Sequence, residues 1–132
     1  MNFNTLYSKK VMKHFLNPRN MGEIKNPDGE ATVGNPVCGD VMRLFIKIIE
    51  KDGEEYIKDI KFQTLGCAAA ISSSSMLTTI IKGKTLKAAE KITNKTISKA
   101  LGGLPSSKIH CSLLAEEAVR KAIRNYRQKK KV

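Results

Sequence analysis

The stretch VMRLFIKIIEKDGEEYIKDIKFQTL, residues 41–65, decides the fold class. From Val41 to Glu50, Met42, Leu44, Ile46 and Ile48 share one face by two-residue alternation, and Arg43 and Lys47 share the other. That period belongs to a half-buried β-strand. Asp52-Gly53 marks a hairpin turn. From Tyr56 to Leu65 the alternation returns, with Ile60 and Phe62 on one side and Asp59, Lys61 and Gln63 on the other. Two long strands joined by a tight turn make an antiparallel sheet with one solvated face.

Working outward, Ala31 to Gly34 supplies a short strand before the hairpin, and Met21 to Glu30, rich in Gly, Pro and Asn, is loop. Residues 4–16 form an amphipathic helix, with Leu6, Val11 and Phe15 near one side and Asn4 or Thr5 as cap; Asn17-Pro18-Arg19-Asn20 stops it. After the hairpin, Ala68 to Ile81 is helical despite four consecutive serines, because Met76/Ile80 and Leu77/Ile81 fall at four-residue steps. Gly83 ends it. Thr85 to Ile92 and Thr93 to Leu101 are two short helices, each capped by its threonine. Gly102-Gly103-Leu104-Pro105 breaks the chain, and a long helix runs from about Ser106 to Arg127, with Ala115, Val119, Ala122, Ile123 and Tyr126 at three- and four-residue steps. Strands precede most of the helices, so the class is α+β. At 132 residues, the chain suits a single domain spanning 1–132.

The net charge is +12, from 24 basic and 12 acidic residues. Between Val119 and Val132 stand seven basic residues (Arg120, Lys121, Arg124, Arg127, Lys129, Lys130, Lys131) and no acidic one. Such a tail is a solvated helix end or a dock for an acidic protein. Nucleic acid is disfavoured, because aromatics for base stacking are scarce and no recognition motif is present. The opening residues lack the apolar core of a signal peptide, and no apolar run reaches a membrane span of about 20 residues. The expectation is a soluble cytoplasmic protein without membrane partners.

Three cysteines, Cys38, Cys67 and Cys111, carry the chemistry. Each lies at a boundary between elements: Cys38 in a turn before a strand, Cys67 at a strand-to-helix junction, Cys111 in the first turns of the last helix. Helix N-termini favour thiolate over thiol. Gly39 and Gly66 flank two of the three, where a backbone must crowd close to a ligand or adopt positive φ. Asp40 and His110 stand beside Cys38 and Cys111. Three thiolates, an imidazole and a carboxylate suit zinc or an iron–sulfur cluster, and suit magnesium or calcium poorly. The chain has no C-x-x-C pair, which argues against a zinc ribbon or a thioredoxin-type redox site.

These residues lie in recognisable company. GNPVCGDVMRLFIKI (Gly34 to Ile48), LGCAAAISSSS (Leu65 to Ser75), KIHCSLLAEEAVRKAI (Lys108 to Ile123) and the opening YSKKVMKHFLNPRNMG (Tyr7 to Gly22) resemble the IscU/NifU N-terminal family of iron–sulfur scaffolds. Without a long insertion between Cys67 and Cys111, the chain resembles the IscU branch. The resemblance implies a sheet of about three strands covered on one side by helices. It implies metal ligands at Cys38, Asp40, Cys67, His110 and Cys111, and a site neighbour at Lys108. It implies a non-enzymatic scaffold that takes sulfur as persulfide from a cysteine desulfurase, takes up iron as Fe2+, assembles a [2Fe–2S] cluster and passes it to acceptor or carrier proteins, with a homodimer around a cluster as one arrangement. Zinc occupies this site in purified relatives. One departure concerns Leu104-Pro105-Ser106-Ser107-Lys108, where relatives carry Leu-Pro-Pro-Val-Lys for a dedicated Hsp70 chaperone. Losing the second proline and the apolar valine removes a preorganised anchor, and the expectation is that this handoff is lost. A second departure, Leu65 in place of an aromatic, concerns packing.

A scaffold must release what it builds. Three cysteines leave a [2Fe–2S] cluster one thiolate short of four, and the fourth ligand is Asp40, His110 or a partner's cysteine. A harder, weaker ligand keeps the cluster labile. Cys111, with His110 to take its proton, is the expected first sulfur acceptor, with Cys67 as the other candidate. Three other readings compete. A zinc-stabilised structural or regulatory protein would use the same ligands. A Cys111/His110 thiol enzyme suffers from geometry, because adjacent helical residues point about 100° apart. A nucleic-acid binder would rest on the tail alone and would show steep salt dependence.

Overall fold

The structure, a computed structural model, describes residues 7–35 and 39–131. Its elements run α1 (Lys9–Leu16), β1 (Gly29–Asn35), β2 (Asp40–Lys51), β3 (Glu54–Leu65), α2 (Ala68–Ile81), α3 (Leu86–Glu90), α4 (Asn94–Ala100) and α5 (Ile109–Lys131), with one 3-10 turn, Ser106–Lys108, leading into α5. The strands form one antiparallel sheet in the order β1-β2-β3. The hairpin turns on Asp52 and Gly53, at φ 53° and 79°, the left-handed pair that a tight two-residue turn requires.

Met42, Leu44, Ile46, Ile60 and Phe62 are fully buried against α2 and α5. Ile57 is fully buried too, although strict alternation places it with Asp59 and Lys61. The register explains it. Lys47 pairs with Asp59 but Ile48 pairs with Ile57, so Lys58 is an extra residue and the strand changes face at the bulge. Phe45 departs from its face as well: it is buried on the Arg43 side, with the Arg43 guanidinium 5.0 Å from the ring centroid.

Both sheet edges are covered. Along β1, Lys121 Nζ donates to Thr32 O (3.1 Å) and Asn125 Nδ2 to Glu30 O (2.8 Å). Along β3, Gly22 N donates to Phe62 O (2.8 Å) and Phe62 N to Asn20 O (2.9 Å). Neither edge is left free along these stretches to recruit a foreign strand.

The helices differ from the sequence reading at their ends. The cap of α1 is Ser8, whose Oγ accepts from Val11 N at 3.1 Å and also donates to Leu101 O. Leu6 and the expected caps Asn4 and Thr5 lie outside the described residues. Thr85 and Thr93 cap α3 and α4 as expected. α5 continues past Arg127 through the basic run, where Lys130 pairs with Glu55 and Arg127 with Glu90.

The serines of α2 are all buried, and two of them tie down α1 and the segment after it. Ser72 Oγ donates to Val11 O (2.7 Å). Ser75 Oγ accepts from Arg19 N (2.9 Å) and lies 2.7 Å from His14 Nδ1. Burial first, then the charges of Arg19 and Lys13, lowers the pKa of His14 below its ordinary value.

Candidate metal centre

Two helix N-termini meet at one end of the molecule. Cys67 is the N-cap of α2, with extended backbone (φ −81°, ψ 179°) that throws its side chain off the helix start. Cys111 is the third residue of α5. The contact between the two starts is floored by Ala69 and Ala70, with Tyr7 and Leu104 packed alongside. Small side chains there let the thiols approach: the Sγ atoms of Cys67 and Cys111 lie 3.8 Å apart. Neither forms a disulfide.

His110 and Asp40 complete the cluster. His110 Nε2 sits 2.9 Å from Asp40 Oδ2 and 3.6 Å from Cys111 Sγ. One ligand atom each from Asp40, His110 and Cys111 fit within 4.8 Å of one another, close enough to share an ion. Asp40 opens β2, and Gly66 makes room for it: a Cβ on Gly66 would meet Asp40 Oδ1 at 2.7 Å and Ala70 Cβ at 2.7 Å. Gly39, by contrast, has φ +79° with open space around it, so its role is conformational.

Of the five ligand candidates, the structure therefore brings Asp40, Cys67, His110 and Cys111 to one spot; Cys38 lies outside the described residues. Lys108, in the 3-10 turn, is near enough for the charges of Cys67, Tyr7, Cys111 and Asp40 to raise its pKa. Tyr7 was not singled out by sequence reasoning. Burial raises its pKa, with Cys67 next and Cys111 further adding to the shift. The expected helix over residues 4–16 includes it, whereas in the structure it precedes α1, which begins at Lys9.

The thiol environments run against one expectation. A helix N-terminus should favour thiolate, yet Cys111 is 2% exposed and its pKa is pushed up to about 12, by burial first and then by the neighbouring Cys67. Desolvation outweighs the helix dipole there. Cys67 is the more accessible of the pair.

The rim of the site is apolar and open: Leu65 is 72% exposed, Leu113 45% and Ile109 37%. A depression lined by Gly53, Glu55, Thr85 and Arg127 among others shares no residue with the thiol cluster. A species bonded directly to side chains needs no enclosed cavity. No helix among the described residues is long and apolar enough to cross a membrane.

Known proteins resemble this chain along nearly its whole length. The family model for the NifU-like N-terminal domain matches residues 6–132. "Iron-sulfur cluster assembly scaffold protein IscU 1" of Archaeoglobus fulgidus is 57% identical over 124 residues, covering 94% of this chain and 78% of its own. The IscU scaffold protein of Azotobacter vinelandii is 51% identical over 127 residues, covering 94% of this chain and 96% of its own. In fold alone, the N-terminal part of a NifU-like protein from Brucella abortus superposes with a TM-score of 0.67 at 23% identity, covering 96% of this chain and 98% of that one. The chain belongs to the NifU-like N-terminal domain family.

Proposed function

We propose that this chain is a scaffold on which iron–sulfur clusters are assembled and from which they are passed on. The observation that carries the reading is the meeting of two thiols, an imidazole and a carboxylate at an open rim, in a chain 57% identical to a protein named as such a scaffold. The cargo is a [2Fe–2S] cluster held by Cys38, Cys67 and Cys111, with Asp40 or His110 as the fourth ligand. A carboxylate or imidazole in that place binds iron less tightly than a thiolate, so an acceptor's cysteine can displace it. Zinc would occupy the same ligands when iron is absent. The zinc-structural reading is not favoured, because the fold's core closes without the thiol cluster.

Sulfur reaches the site as persulfide from a cysteine desulfurase, first onto Cys67, whose exposure suits delivery by a partner. Leu65, Ile109 and Leu113 give that partner, and later the acceptor, an apolar rim to dock on. The chain acts as assembly platform rather than enzyme, works in the cytoplasm, and does without the dedicated Hsp70 chaperone, given Ser106 and Ser107 in the loop.

Anaerobic incubation with ferrous iron, cysteine and a desulfurase tests the reading. The expected outcome is visible charge-transfer absorbance that then moves to an apo-ferredoxin on mixing. A protein that stays colourless while binding zinc would instead support the structural alternative. Replacing the weak ligand should sharpen the point: Asp40→Cys is expected to slow transfer to the ferredoxin, because a fourth thiolate must then be displaced.

A further inference from the structure

We propose that Cys67 and Cys111 act together as an internal two-electron reductant that releases sulfide from a persulfide held on either of them. The idea rests on the scaffold reading, since sulfur must first be delivered to the site. What goes beyond that reading is the source of the electrons: a sulfane sulfur must gain two of them before it can enter a cluster as sulfide.

The geometry supplies the reductant. The two Sγ atoms are 3.8 Å apart, near contact distance for sulfur, so each is already placed against the other. Both are carried at helix starts packed through Ala69 and Ala70. His110 Nε2 lies 3.6 Å from Cys111 Sγ, and Asp40 Oδ2 lies 2.9 Å from the same nitrogen. A base is therefore within reach of the buried thiol.

With the persulfide on Cys67, Cys111 Sγ attacks the inner sulfur, Cys67 Sγ. The bond from Cys67 Sγ to the outer sulfur breaks, and the outer sulfur leaves with the electron pair as hydrosulfide. A Cys67–Cys111 disulfide forms, and the Cys111 proton passes to His110 Nε2. Two thiols and one sulfane sulfur thus become one disulfide, one hydrosulfide and one proton. The sulfane sulfur gains two electrons, and each cysteine sulfur gives up one. Attack at the outer sulfur merely moves the persulfide to Cys111, and the same reaction then runs with the roles exchanged. From there a return transfer must expel a Cys111 thiolate into an apolar setting only 2% exposed, whereas attack by Cys67 on the inner sulfur expels hydrosulfide, a weaker base. Sulfide is released beside the iron ligands, and a dithiol reductant must reopen the disulfide before both cysteines can hold metal again.

The test uses the full chain, reduced, stripped of metal with a chelator and freed of small thiols under nitrogen. It is given colloidal elemental sulfur at one sulfur atom per chain. Wild type is expected to release one hydrosulfide per chain and to become lighter by two hydrogens, with the disulfide mapping to Cys67 and Cys111. Cys67→Ser and Cys111→Ser are expected to stay one sulfur atom heavier and release no sulfide. The proposal is overturned if wild type keeps the extra sulfur, takes up none, or forms its disulfide with Cys38, or if either variant releases as much sulfide as wild type. A parallel arm supplies iron and ready-made sulfide to the reduced chain. Absence of a cluster there sinks the scaffold reading itself, and its presence confines any failure to the electron source.

Discussion

The two ends of the helical layer are built on different terms. Over the sheet, Phe62, Met42, Leu44, Ile46, Ile57 and Ile60 are fully buried in one continuous core with α2 and α5. At the helix starts, the buried set shrinks to Ala69, Ala70 and Cys111, with Cys67, Tyr7 and Leu104 only partly covered. The first region holds the fold, and the second is a thin satellite that the fold positions. Substitutions at the two ends should therefore separate stability from chemistry.

The largest effect is expected at the core. Phe62→Ala should cost about 3–5 kcal/mol of unfolding free energy in urea titrations, through lost transfer energy and a cavity. A loss below about 1 kcal/mol would mean that the sheet face is not the main core. Next comes Gly66→Ala, where the added methyl meets Asp40 Oδ1 and Ala70 Cβ. Overpacking of this kind costs about 1–3 kcal/mol; here it should also weaken zinc binding by calorimetry, because Asp40 must move. Unchanged affinity would show that Asp40 is not held where it matters. Ser8→Ala removes the α1 cap and the bond to Leu101 O, with an expected cost of about 0.5–2 kcal/mol and unaltered metal affinity.

The smallest effect is a tilt with pH. The folded-state pKa of His14 is lowered, by burial first. Between the folded value and the ordinary one near 6.5, the unfolded chain binds more protons than the native one. The contribution is thus present above that ordinary value and is lost as pH falls below it, levelling off once the folded pKa is passed. Urea midpoints measured down through that window should fall for wild type and stay flatter for His14→Gln. Parallel slopes would remove His14 as the cause.

Local pattern carried much of this fold. The bounds of α2, the Thr85 and Thr93 caps and the Asp52-Gly53 turn follow from short-range spacing, capping and turn chemistry. What escaped it depends on distant partners. Ile57 reaches the core because of a bulge, which alternation cannot announce. Phe45 is buried under a cation on the nominally solvated face. The helix through Lys129–Lys131 persists with Lys130 tethered to Glu55, a residue on β3. At the site, residue types and boundary positions pointed to Cys67, His110, Cys111 and Asp40. The depth of Cys111 did not show, because it follows from how α2 and α5 pack, and Tyr7 joined the cluster for the same reason.

The central claim is that cysteines of this cluster bind the iron. Mössbauer spectra of the anaerobically reconstituted protein, recorded beside Cys67→Ala and Cys111→Ala, test it most directly. The account requires a diamagnetic [2Fe–2S] doublet pattern in wild type and its loss in each variant, with both variants still folded by circular dichroism. An unchanged cluster spectrum in either folded variant would contradict it.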